Sequence, residues 1–97
     1  MARVRLLAPG DRPREKLAQH GARSLGDNEL LAIVLGLGSR GGSSLDLAND
    51  VLARAGGVVG LTRTGLDLLR RARGIGPVKA CQILAAVELG RRTLLAN

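Results

Sequence analysis

Ninety-seven residues suffice for one small domain, and with no Phe, Tyr or Trp its core must be built from Leu, Val, Ile and Ala. No stretch approaches the roughly 20 apolar residues of a membrane span, and the N-terminus lacks the apolar centre of a signal peptide. A single cysteine, Cys81, excludes an internal disulfide and suits a reducing, cytoplasmic setting, while a net charge of +7, mostly arginine, suits an anionic partner.

Residues 1–10 show no periodicity, end in a Pro-Gly breaker, and read as a flexible lead-in. Asp11 can cap a short helix with Pro13 in its first turn, closed by Gly21. His20 is the only histidine, so no metal site is expected. Gly26, Asp27 and Glu29 open a second helix, with Glu29 at capping-box spacing from Gly26. It runs through Leu30 and Leu35 to Gly36-Leu37-Gly38, and a Gly- and Ser-rich turn follows. A third helix is expected from about Ser44 to Ala55, with Leu45, Ala48, Val51, Leu52 and Ala55 along one side and an Asp50–Arg54 pair on the other. Gly56-Gly57 breaks the chain, and Val58 to Leu61 can form a short helical turn.

Thr64, with Asp67 three residues on, has the spacing of an N-cap for the next helix, which ends in Arg70, Arg71 and Arg73. Gly74-Ile75-Gly76 follows, and Pro77 opens a nearly all-apolar helix expected to reach about Thr93, leaving residues 94–97 as a tail. A helix apolar nearly all round predicts a central position, with Cys81 as a buried structural thiol. Its N-terminus offers unpaired N–H groups and the positive end of a macrodipole to an anion. The pattern of helix, Gly-hydrophobic-Gly, helix resembles a helix-hairpin-helix motif. Ile75 would pin the turn to the core, and Arg73, Gly74, Gly76, Val78 and Lys79 would meet a phosphate.

Laying residues 24–38 over 62–76 gives an internal repeat at a spacing of 38: Leu30-Leu31 falls on Leu68-Leu69, Gly36-Leu37-Gly38 on Gly74-Ile75-Gly76, and Gly42 on Ala80. The prediction is an all-α, compact domain of five to six helices over residues 11–93, built on two tandem hairpins near 36–42 and 74–79. The copies differ in charge. Seven basic residues face two acids between Arg63 and Arg92, whereas the first copy carries Asp46 and Asp50. The second hairpin is therefore the main phosphate site, with Gly36, Gly38, Arg40 and Gly41 as a weaker one.

Arg12-Pro13-Arg14-Glu15-Lys16-Leu17, His20-Gly21, Glu29-Leu30-Leu31-Ala32-Ile33, Gly38-x-Arg40-Gly41 and Glu88-Leu89-Gly90-Arg91-Arg92 occur in the order found in RadC-family proteins. The chain resembles the N-terminal part of that family from residue 12 to 92. The family's first hairpin usually reads Gly-Thr-Gly, and Leu37 replaces that Thr. The resemblance implies a helix-hairpin-helix domain of the kind found in DNA-repair proteins. It also implies a C-terminal JAMM-type metalloprotease-like half whose His-x-His and Asp zinc site this sequence does not contain.

The expected function is a non-enzymatic, sequence-nonspecific module that holds backbone phosphates of duplex or junction DNA. Such contacts position a protein without reading bases, and the lack of aromatics leaves no platform for stacking unpaired ones. No cofactor is expected beyond a monovalent cation that such hairpins can hold. The alternative is a protein-interaction scaffold in which the glycines only make turns; its partner is another protein or the missing half. The acids sit at helix starts or on solvent faces and suggest no acid/base pair.

Overall fold

The computed structural model describes residues 12–36 and 43–95. Five α-helices follow in order: α1 Arg12–His20, α2 Asp27–Leu35, α3 Ser44–Ala55, α4 Leu66–Arg70 and α5 Pro77–Leu95, and there is no strand among the described residues. Single 3-10 turns at Ala22–Ser24 and Val59–Arg63 precede α2 and α4. The lead-in, the Asp11 cap and most of the first hairpin, including Leu37, Gly38, Arg40, Gly41 and Gly42, lie outside the described residues.

The core is aliphatic, as the composition requires. Leu31, Ala32 and Leu35 of α2 meet Leu47, Ala48 and Val51 of α3, and Leu69, Ala72, Ile75, Ala80 and Ile83 close it from the α4–α5 side. Leu35, Val51 and Ile83 are the largest side chains withdrawn fully from water. Burying each stabilises the fold by about 1.5–3 kcal/mol. Leu47 joins this core although the sequence pattern passed over it.

Helix ends follow local chemistry. Ser43 caps α3 by accepting the Asp46 N–H at 3.0 Å, and Arg54 Nε lies 3.2 Å from Asp50 Oδ1 as the spacing predicts. At α2 the Glu29 carboxylate accepts the Gly26 N–H at 2.9 Å. Gly26 has no side chain to return the favour, so this is half of a capping box, and Asn28 Oδ1 takes the Glu29 N–H instead. Lys16 Nζ sits 3.2 Å from the same carboxylate and ties α1 to α2.

The Thr64 cap and the reading of α5 are corrected. Thr64 is not the cap of α4: Gly65 holds that position, and Thr64 Oγ1 donates to the Gly60 carbonyl at 2.7 Å. The 3-10 turn brings that carbonyl within reach, and the hydroxyl bonds backward instead of forward. Helix α5 is not central. It continues to Leu95, and only Ala80 and Ile83 along its 19 residues are buried; Cys81 is an exposed thiol. Four shorter helices cannot surround a helix roughly 28 Å long, and its Ala and Cys side chains expose little apolar area. The helices that follow the two expected hairpins start at Ser44 and Pro77, where the sequence placed them. Gly36 and Gly74, which the repeat pairs, both have positive φ, 80° and 94°. Gly42, which the repeat lays on Ala80, lies outside the described residues.

The 3-10 turn after α3 folds so tightly that a Cβ on Gly60 would lie 1.8 Å from the Ala55 carbonyl oxygen. Gly90, inside α5, has nothing within 4 Å of a Cβ position. Gly60→Ala is therefore expected to destabilise by about 1–3 kcal/mol or more through backbone displacement, whereas Gly90→Ala stabilises by about 0.5–1 kcal/mol. Urea unfolding of both variants beside the wild type checks the opposite signs.

Candidate functional site

Helix α4 and the start of α5 meet at residues 71–76. The α4 helix tightens at its end, with the Arg71 N–H bonding the Leu68 carbonyl and the Ala72 N–H the Leu69 carbonyl. The Ile75 N–H then bonds the Ala72 carbonyl at 3.1 Å. Gly74 supplies the positive φ this reversal needs. Ile75 is 5% exposed and packs into the core, as expected from its place between two glycines. The first α-helical bond of α5 runs from the Ala80 N–H to the Gly76 carbonyl at 3.0 Å.

Several donors are left over. Pro77 has no N–H, and among the described residues no backbone acceptor meets the N–H groups of Gly74, Gly76, Val78 or Lys79. Residue 76, being glycine, offers no capping side chain. Gly74, Gly76 and Val78 are exposed, Val78 to 72%. Arg70, Arg71 and Arg73 are also exposed, and among the described residues none of them, nor Arg63, pairs with a carboxylate. Five basic side chains face a single acid, Asp67, between Arg63 and Lys79. The structure thus brings Arg73, Gly74, Gly76 and Val78 together at one open helix end.

Lys79 does not point freely into that opening. Its Nζ donates to the Leu35 carbonyl at 2.8 Å, across 44 residues of sequence, and the side chain is half-buried. Ser44 Oγ donates to the neighbouring Gly36 carbonyl. The C-terminus of α2, the negative end of its dipole, is therefore met by one side chain from α3 and one from α5. Nothing in the local sequence around Lys79 signals this contact. Arg91 and Arg92, counted in the basic balance from sequence, are both held by Glu88, at 2.8 and 2.9 Å.

Elsewhere, Arg12, Glu15, Lys16, Gln19, His20 and Glu29 line an open polar depression between α1 and α2. An apolar groove of about 220 Å³ lies between α2, α3 and α5, lined by Leu30, Val34, Leu52, Val58, Ala86 and Val87 among others. No group of three His, Cys, Asp or Glu residues that could hold a metal occurs among the described residues, and no helix there is long and apolar enough to cross a membrane.

Residues 4–81 match the family profile described as UPF0758 N-terminal. The chain is 47% identical to a UPF0758 protein of Desulforudis audaxviator over 92% of its own length and 39% of that protein. It is 48% identical to one from Roseiflexus sp. (strain RS-1) over 98% of its length and 41% of the relative, and 50% identical to one from Dechloromonas aromatica over 88% and 38%. The chain thus spans about two-fifths of the length of the curated relatives it matches. No solved structure matches it.

Hydrogen bonds from Arg91 and then Arg92 pull the Glu88 carboxyl down from its ordinary 4.5 to about 2. A carboxyl depressed on folding stabilises above its ordinary pKa, and that contribution fades as pH falls from about 4.5 through about 2. The end of α5 is therefore expected to lose helicity across this window, and Glu88→Gln to lose it already at neutral pH. Circular dichroism at 222 nm, wild type minus variant against pH, shows a difference that vanishes on acidification.

Proposed function

The chain belongs to the UPF0758 family, and from that premise we propose that this N-terminal domain is a non-enzymatic, sequence-nonspecific DNA-binding module. In this reading the α4–α5 turn acts as a helix-hairpin-helix, whose free N–H groups at Gly74, Gly76 and Val78 hold phosphate oxygens of one strand of duplex or junction DNA. Arg70, Arg71 and Arg73 supply the charge. The observation that carries the reading is the uncapped start of α5 beside three arginines with no carboxylate partner among the described residues. Helix N-termini of this kind suit phosphate because partial positive charge and unpaired donors coincide there. The reading places the protein in the cytoplasm and needs no cofactor beyond a monovalent cation on the turn carbonyls. It assigns any catalysis to the remaining three-fifths or so of the longer relatives, as a JAMM-type half.

The apolar groove between α2, α3 and α5, with Leu89, Leu94 and Leu95 exposed on the last turns of α5, favours a second reading, a protein-interaction domain without DNA binding. Binding of a labelled duplex at two salt concentrations separates the two. Under the first reading the dissociation constant lies at micromolar to 100 micromolar values, and a fourfold rise in salt weakens binding roughly 40-fold if three phosphates are neutralised. The triple variant Arg70→Gln, Arg71→Gln, Arg73→Gln loses most of that affinity and salt dependence while keeping its helical spectrum. Binding that is absent at low salt, or indifferent to these substitutions, sinks the DNA reading and leaves the groove as the surface to pursue.

A further inference from the structure

We propose that Lys79 is a positioning residue that fixes the α5 N-terminus against α2, and that it is not itself a phosphate ligand. The inference rests on the DNA-binding reading above and reassigns one of the residues that the Gly-Ile-Gly-Pro-Val-Lys pattern would place on phosphate. Its ammonium already donates to the Leu35 carbonyl at 2.8 Å, and the side chain is half-buried, unlike the exposed Arg70, Arg71 and Arg73. The acceptor matters as much as the donor. Leu35 is 2% exposed and lies at the end of α2, where carbonyls have no intrahelical partner. The Gly36 carbonyl beside it is taken by Ser44 Oγ, so the Leu35 carbonyl depends on Lys79 among the described residues.

A cation at the negative end of α2 is also favoured by the helix dipole, and moving it to solvent phosphate would strip that end of its charge. The geometric consequence concerns α5. Lys79 sits in the first turn of that helix, so the bond fixes where the open N–H groups of Val78 and Lys79 stand relative to the α4 arginines. Ile75 anchors the turn from the apolar side and Lys79 from the polar side.

The test compares Lys79→Met, Lys79→Arg and Arg73→Gln in the full chain, reading both the thermal midpoint without DNA and the slope of log affinity against log salt. Lys79→Met is expected to lower the midpoint by roughly 4–8 °C and to weaken duplex binding several-fold with an unchanged salt slope. Lys79→Arg, keeping donor and charge, restores the midpoint. Arg73→Gln reduces the slope by about 0.9 with the midpoint unchanged. A slope that falls by about one in Lys79→Met, with or without a change in midpoint, makes the ammonium a phosphate ligand and overturns the proposal. An unchanged midpoint overturns the anchoring itself. Should the wild-type chain bind no duplex, the DNA reading fails, while the midpoints still decide whether Lys79 holds α5 to α2.

Discussion

The two carbonyls at the end of α2 are the point on which the domain's arrangement turns. Leu35 is buried and Gly36 is the C-cap of α2, so both carbonyls end their helix without an intrahelical partner. Ser44 reaches one from α3 and Lys79 the other from α5. A core of Leu, Ile, Val and Ala is dense but not strongly directional, because its side chains can exchange neighbours at similar cost. Directional bonds at one shared helix end choose among those packings. They bring the start of α3 and the start of α5 to the same place, and so decide where the open end of α5 stands.

Much of this was legible locally. The Asp50–Arg54 pair, the bounds of α3 and the inward Ile75 each follow from residues within one or two turns of each other. The repeat paired the glycines at 36 and 74, and both have positive φ. What escaped was non-local or steric. The Lys79–Leu35 contact spans 44 residues, so no window around Lys79 could contain it. Thr64 had the right spacing for a cap, but the tight 3-10 turn at Gly60 offered its hydroxyl a nearer acceptor. Cys81 sits in a run apolar enough to suggest burial, yet the described helices are too few and too short to cover α5 on every side.

The two halves of the repeat differ in how their described helix ends are satisfied. In the first, the end of α2 is satisfied by side chains, and the start of α3 is capped by Ser43 and carries Asp46, an acid at the positive end of the dipole. Among the described residues, the Leu35 and Gly36 carbonyls and the Asp46 N–H thus find partners within the protein. In the second, residue 76 is a glycine, residue 77 a proline, and the first turn of α5 has no acid and no capping side chain. Arginines 70, 71 and 73 stand beside it without carboxylates. Ser or Asp in place of Gly76 would cap α5 at no steric cost, since a Cβ there meets nothing within 4 Å. A turn that served only to join two helices would gain stability from that change. Leaving the position open, next to arginines without a carboxylate partner among the described residues, forgoes that stability; under the DNA-binding proposal, phosphate would restore it. The arrangement is coherent if the first half fixes the geometry and the second presents it.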